Sequence, residues 1–355
     1  MAPSKSSFYC GLDIGGANTK FVVTVSKDGK KLTTREAGSV YFPFWEKKDE
    51  FPEFVAGILA QIEKKYTAIE LGITITAELS DAFESKREGI EYIVNSITSY
   101  YAGNPLVYAT TGEFLSPDIA IQEWLRTAAS NWYATASIVA RFFPDALLID
   151  IGSTTTDIIR IYQGKPSPQG LTDTERLQTG ELIFVGALRT NLATLVSELE
   201  VNEVPTQTST EFFACMADIL TVLGKIEPKY YSIPTPDGKG TSISHCMRRI
   251  ARVVCADMNI LNEKDIVDLA DQILERTQQR IRWGIKRQIA SGIPWPPKKV
   301  VLAGIGAKNL GKDTAKTMDS QITYLSDLIG EKEAEMAPAY SVAVLLRDWL
   351  AIEDN

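Results

Sequence analysis

Two stretches of the chain share one succession of apolar and polar positions. Near the start stands Gly11-Leu-Asp-Ile-Gly-Gly-Ala-Asn-Thr-Lys20, and in the middle Leu148-Ile-Asp-Ile-Gly-Ser-Thr-Thr-Thr-Asp157. Each reads as an apolar strand, an Asp, an apolar residue, a Gly and a small polar turn, then returns into an apolar stretch at 21–25 and 158–162. That pattern predicts a β-hairpin with glycine at the bend. Two copies in one chain predict two lobes of similar build facing one another. Further strands are expected at 71–76, 106–110 and 299–303. Helical spacing of apolar residues covers 52–66, 86–101, 117–130, 132–142, 209–223, 243–256, 263–290 and 338–351. Strands alternating with helices indicate an α/β class. The proline- and glycine-rich segments 224–242 and 292–298 read as exposed loops.

Composition narrows the field. A chain of 355 residues can bury a real core and suggests two domains. The expected division is a first lobe at 1–143, a second at 144–336, and a last helix, 337–355, packing back on the first. A net charge of -8 argues against broad nucleic-acid or anionic-membrane binding. No apolar run reaches the ~18 residues of a spanning helix, and Met1 to Ser7 lacks the apolar core of a signal peptide. A cytoplasmic protein without membrane partners is expected. The four cysteines, Cys10, Cys215, Cys246 and Cys255, show no metal-binding spacing, and the single histidine, His245, leaves little for a His-based relay.

The two echoes carry the candidate chemistry. Gly15 and Gly16 let the backbone turn so tightly that consecutive N–H groups can point at an anion. Asn18 and Thr19 add side-chain donors and Lys20 a positive charge. Asp13 would repel a bare phosphate, so its place at the end of the strand makes sense with Mg²⁺ between carboxylate and phosphate. In the second copy Gly152, Ser153, Thr154 and Thr155 offer a run of donors beside Asp150, and Asp157 closes it. A plain glycine hairpin accounts for the first copy alone, whereas β-branched strand propensity accounts for Thr156 but hardly for the whole second string. Two copies with the acid in the same place favour a diphosphate gripped at both ends, with Asp13 and Asp150 sharing the cation.

These strings resemble the first and second phosphate motifs of the acetate and sugar kinase, heat-shock-70 and actin superfamily. Within it the chain is similar to the hydantoinase/oxoprolinase-related branch, and there to a family linked to tetrahydromethanopterin-dependent one-carbon metabolism. The supporting strings are Ala129-Ser-Asn-Trp132, Gln178-Thr-Gly-Glu-Leu182, Gly186-Ala-Leu-Arg-Thr190, Met216-Ala-Asp218 and Arg248-Arg-Ile-Ala-Arg252. The resemblance implies a two-lobed actin/hexokinase-like (ribonuclease H-like) fold with a cleft between the lobes. It also implies a transferase of methanofuran biosynthesis. An (aminomethyl)furanylmethyl diphosphate would be joined to a phenolic acceptor, γ-glutamyltyramine or a tyrosine-type equivalent, with release of diphosphate. Asp157 and Glu181 are then candidates to take the phenol's proton. Arg189, Asn131 and Trp132 are candidates to hold the acceptor. Arg176, Arg248, Arg249 and Arg252 are further guanidinium groups in the second lobe. The stretch Val300-Val-Leu-Ala-Gly-Ile-Gly-Ala307 splits the glycine pair with which the superfamily binds a nucleoside, which weakens the case for ATP. An ATP-dependent kinase or ring-opening enzyme and a non-catalytic nucleotide sensor remain open alternatives. A homodimer is compatible with the sequence, which does not fix the oligomeric state.

Overall fold

The structure, a computed structural model, describes residues 7–27, 31–290 and 297–353. Most of the loop expected at 292–298 lies outside them. The chain divides into two compact units. One comprises the residues up to Pro144, Ile161–Glu175 and Leu325 onward, and the other Asp145–Arg160 and Arg176–Tyr324.

The first unit is built on β1 (Ser7–Gly15), β2 (Asn18–Lys27), β3 (Lys31–Tyr41), β4 (Ile69–Thr76), β5 (Leu106–Tyr108) and β6 (Phe114–Leu115). Their order is β3-β2-β1-β4-β5-β6. The first three strands are antiparallel, whereas β1, β4 and β5 run parallel. Parallel neighbours require crossovers, and helices supply them. Phe51–Lys65 buries Phe51, Val55, Ile58, Leu59 and Ile62, the spacing of a single apolar stripe. Lys86–Thr98 starts where the Ser85 side chain accepts the Glu88 N–H, a cap contributing about 1 kcal/mol.

The central strand β1 is buried from Cys10 to Ile14. The helix Ala337–Glu353 lies directly over it, and two glycines make the approach feasible. Gly11 and Gly72 are paired across β1 and β4. A Cβ on Gly11 would sit 1.9 Å from the Ala339 carbonyl oxygen, and one on Gly72 2.8 Å from Val342 Cγ1.

The second unit holds β7 (Ala146–Ile151), most of β8 (Thr156–Tyr162), β10 (Leu182–Ile183), the separate hairpin β11 (Glu198–Val201) and β12 (Val204–Gln207), β13 (Lys299–Ala303) and β14 (Gln321–Tyr324). The end of β8 beyond Arg160 and the two-residue β9 (Lys165–Pro166) paired with it belong to the first unit. The sheet runs β10-β8-β7-β13-β14, with β7, β13 and β14 parallel and β10 antiparallel to β8. Counting path strands from each glycine hairpin, the second sheet reads 3-2-1-4-5, and the first reads the same with β6 added at its edge. That is the ribonuclease H-like order, and the expected α/β class is present twice. The long helix Glu263–Ala290 covers this sheet. Its Gly284 stands where a Cβ would meet Ile183 Cδ1 at 2.4 Å and the Gly180 carbonyl at 2.8 Å.

Several expected elements hold to the residue, among them the helix at 263–290 and the strand at 299–303. Others are cut short by tertiary hydrogen bonds. The helix expected at 117–130 becomes Pro117–Gln122 and Trp124–Thr127, because Ala128 bridges Ile75 and the Arg126 carbonyl accepts the Thr110 N–H. Of 209–223 only Met216–Val222 is helical, since Cys215 pairs with Asn191 and the Ser209 N–H donates to the Val253 carbonyl. The strand β3 and the β11–β12 hairpin were not expected. In the hairpin, Asn202 and Glu203 both take positive φ, 50° and 66°, as a two-residue primed turn requires. Among the described residues no helix is long and apolar enough to cross a membrane.

Candidate functional site

The first bend joins β1 to β2 over residues 15–18. Gly15 has no alternative, because a Cβ there would lie 2.7 Å from the Asn18 carbonyl. Gly16 is open to its surroundings and shares partial exposure with Ala17, Asn18 and Lys20. The carbonyls of Gly16 and Ala17 accept the N–H groups of Phe44 and Phe42, each at 3.0 Å. The bend's oxygens are thus engaged within the unit.

Asp13 is 6% exposed, and its Oδ1 has no hydrogen-bond partner among the described residues. Burial raises its carboxyl from 3.8 to about 6, against the opposing pull of Lys20. Lys20 is its cross-strand partner and therefore shares its face. Thr19 pairs with Ile14 and belongs to the opposite face, fully buried. Its expected role as a phosphate donor is corrected on that ground. On β4 the residue in register with Asp13 is Thr74, whose hydroxyl meets Ser130 Oγ at 2.8 Å; Ser130 in turn donates to the Tyr108 carbonyl.

The second bend, 152–155, closes with a hydrogen bond from the Gly152 N–H to the Thr155 carbonyl (2.9 Å). Here too the carbonyls are engaged. That of Gly152 accepts from Ala187, and that of Ser153 from Leu188 and Arg189. Gly186 makes this cradle possible, since a Cβ there would be 2.5 Å from Ser153 C and Thr154 N. Gly152, Ser153, Thr154 and Thr155 are partly exposed, while the Thr156 hydroxyl is buried and donates to the Val185 carbonyl. Gly304 (φ 79°) and Gly306 press on the end of β7. A Cβ on Gly304 would meet the Ile151 carbonyl at 2.3 Å and Asp150 Oδ1 at 2.5 Å. The split glycines thus serve close approach to the partly exposed Asp150.

The candidates for proton transfer in this unit are engaged elsewhere. Arg176, 1% exposed, donates to Asp157 Oδ1 at 2.7 Å. Glu181 is fully buried, and its Oε2 accepts the Thr179 hydroxyl at 2.8 Å. The Thr-Gly-Glu string is a helix-to-strand corner, with Gly180 at φ 79° against Gly284. Both carboxylates therefore read as holders of that corner.

Of the acceptor candidates, Arg189 is half-buried and pinned through its own N–H to the second bend. Asn131 is half-buried at the first position of the helix Asn131–Phe142. Trp132 is 3% exposed, with its ring edge-on to Tyr133. Arg249 is fully buried on Asp218 and also donates to Asp237, so it holds the 224–242 segment. Ser242 caps the helix Ile243–Val253 by accepting the His245 N–H and also meets His245 Nδ1 at 2.8 Å, and the four cysteines are free.

Among the described residues no group of three or more His, Cys, Asp or Glu side chains could hold a metal. Mg²⁺ needs no such cage, being held commonly by one or two carboxylates and the substrate's phosphates. A buried carboxylate oxygen without a partner, as on Asp13, suits that kind of ligation.

Sequence reading missed Glu78, two residues past the end of β4. It is 1% exposed, with Oε2 unpartnered among the described residues and burial raising its carboxyl to about 7. Its only sequence signal is an acid just after the strand expected at 71–76, which the structure shows to be parallel to its neighbours, at the end where ligands of such sheets gather.

Compared with known proteins, residues 71–342 match the hydantoinase/oxoprolinase family. The chain belongs to that family. A relative in Methanocaldococcus jannaschii, (4-{4-[2-(gamma-L-glutamylamino)ethyl]phenoxymethyl}furan-2-yl)methanamine synthase, is 34% identical over 341 residues, covering 96% of this chain and 98% of that one. The protein of the same name in Methanococcus vannielii is 32% identical over 214 residues, 59% of this chain and 95% of its own. Among solved structures, the activator of 2-hydroxyisocaproyl-CoA dehydratase from Clostridium difficile aligns over 98% of this chain and 97% of its own. It does so at 13% identity and a TM-score of 0.48, a likeness that says nothing about chemistry.

Proposed function

We propose that this member of the hydantoinase/oxoprolinase family is an ether synthase of a methanofuran-type pathway. It would condense an (aminomethyl)furanylmethyl diphosphate with a phenolic acceptor, γ-glutamyltyramine or a tyrosine-type equivalent, and release diphosphate. The observation that carries the reading is the end-to-end likeness to the M. jannaschii synthase, whose name describes a phenoxymethyl-furan product.

The site chemistry supports the diphosphate part. Both bends bind their own carbonyls inward, which leaves each bend's exposed side to N–H and hydroxyl donors. Asp13 and Asp150 are the proposed ligands of Mg²⁺, which when bound would neutralise charge on the departing diphosphate. The donors at Gly15, Gly16, Asn18 and Lys20 in the first bend, and at Ser153, Thr154 and Thr155 in the second, are each proposed to bind phosphate oxygens, while Gly152, its own N–H spent on the Thr155 carbonyl, shapes the second bend. They stabilise the negative charge that grows as the C–O bond breaks. Arg189 and Asn131 remain the candidates for the acceptor's polar groups.

A second reading follows the family's description, hydantoinase/oxoprolinase: the ATP-dependent ring-opening enzyme or kinase that the sequence left open. One experiment separates the two. The protein is incubated with the furanylmethyl diphosphate, γ-glutamyltyramine and Mg²⁺ without ATP, and mass spectrometry looks for the ether. The proposed reading expects ether, and its loss in Asp13→Asn and Asp150→Asn. Turnover only with ATP would replace it with the second reading.

A further inference from the structure

The first unit carries a second acidic side chain at the same end of its sheet as Asp13, and no step above uses it. Glu78 follows β4 by two residues and is 1% exposed. Its Oε2 has no partner among the described residues, and neither has the buried hydroxyl of Ser80 in the same turn. Its Oε1 stands 3.7 Å from Lys86 Nζ, too long for a hydrogen bond but close enough for the charges to interact. The Lys86 ammonium is itself hydrogen-bonded to Asp173. The carboxylate is held in place from behind. Gly89, in the first turns of the helix Lys86–Thr98, abuts Glu78 so closely that a Cβ would lie 2.7 Å from its Cα.

The charges around Glu78 suit a group that takes up a proton near neutrality. Burial pushes its carboxyl up to about 7, Lys86 pulls it down, and Asp173 pushes it up. A base with that poise is half ionised at working pH and still able to accept. Its position also fits. β1 and β4 are parallel, with Asp13 level with Thr74. Four residues separate Thr74 from Glu78, at most about 13 Å along a strand. The turn that begins with the Ser80 N–H on the Ala77 carbonyl shortens that path. A donor anchored at Asp13 by its diphosphate would extend its methylene carbon along this edge.

We propose that Glu78 is the proton acceptor of the ether-forming step, with Lys86, held by Asp173, as its positioning residue. The inference rests on the ether-synthase reading. In the step, the phenol oxygen bonds to the furanylmethyl carbon while that carbon's bond to the diphosphate oxygen breaks. The electron pair of the broken bond leaves on diphosphate. The phenol's proton passes to Glu78 Oε2 and from there to water once the product has left.

The test uses the full chain with Mg²⁺, the furanylmethyl diphosphate, and γ-glutamyltyramine or its ring-fluorinated analogue, whose phenol is more acidic. Glu78→Gln is expected to lower kcat with γ-glutamyltyramine by about 10²- to 10⁴-fold, leaving KM for the diphosphate donor unchanged. The deficit should shrink with the fluorinated acceptor, and the wild type's loss of rate below pH 7 should vanish in the variant. Lys86→Met should move that loss to higher pH, which keeps the test open if Glu78→Gln fails to fold. Ether formation by Glu78→Gln at the wild-type rate, or a deficit equal for both phenols, overturns the inference and leaves the reading intact. A wild type that makes no ether with either phenol overturns the reading and the inference with it.

Discussion

Asp13→Asn should make the metal-free protein more stable at neutral pH while abolishing its proposed activity. Asp13 is buried, and burial lifts its carboxyl from 3.8 to about 6. A carboxyl whose folded value is raised favours the fold below the unfolded value. That contribution is lost as pH rises through the folded one. Above about pH 6 the folded chain holds an ionised, desolvated group at a cost of about 3 kcal/mol relative to its neutral form. Asn keeps the shape and removes the charge. The variant's advantage should be near zero below pH 4 and full above pH 6. For a unit of this size it amounts to roughly 6–12 °C in melting temperature. Thermal unfolding in EDTA, compared between wild type and variant across that range, isolates Asp13 from Glu78, whose carboxyl shifts in the same direction. Adding Mg²⁺ with inorganic diphosphate should reverse the ranking, because only the wild type gains binding energy from its carboxylate. A variant equally or less stable than wild type at every pH refutes the argument that this carboxylate is held at a cost for a cation.

Two further outcomes follow from close contacts. Gly11→Ala places a Cβ 1.9 Å from the Ala339 carbonyl, a backbone atom that cannot swing aside. It should destabilise the first unit by about 1–3 kcal/mol or more, and limited proteolysis should release the last helix sooner. Arg249→Met leaves the fully buried Asp218 without its cation and should cost about 3–5 kcal/mol in urea unfolding; Asp218→Asn leaves Arg249 its ion pair with Asp237 and should cost less. The double variant should lose less than the sum of the two.

The hairpins were legible because their signal is local: strand, acid, glycine and polar turn within ten residues. The helix at 263–290 was legible for the same reason, its apolar stripe being long and regular. What failed was whatever depends on distant backbone. The helix expected at 209–223 loses its first half because Cys215 pairs with Asn191, the Met216 N–H donating to the Thr190 carbonyl and the Leu192 N–H to the Ala214 carbonyl, and no periodicity encodes that partner. Thr19 looked like a donor until the register placed it opposite Ile14 and not opposite Asp13. Glu78 was invisible for a related reason. Its chemistry comes from Lys86, eight residues on, and from Asp173, which lies far along the chain.

The two bends also share one way of setting the geometry on which their proposed anion binding would depend. Each solves the same problem, engaging the carbonyls of a tight turn, with a different scaffold. The first uses the N–H groups of Phe42 and Phe44, the second those of Ala187, Leu188 and Arg189. The Gly186-to-Thr190 string, read from sequence as a place for the acceptor, is therefore first of all a cradle for the second bend. A Cβ on Gly186 would lie 2.5 Å from Ser153 C and Thr154 N, so no side chain fits there. The direction of the N–H groups in each bend is thus set by backbone partners and by glycines, not by the hydroxyls of Ser153 and Thr154. The hydroxyls add donors to a geometry that exists without them, so changes at the glycines should damage anion binding more than changes at the threonines.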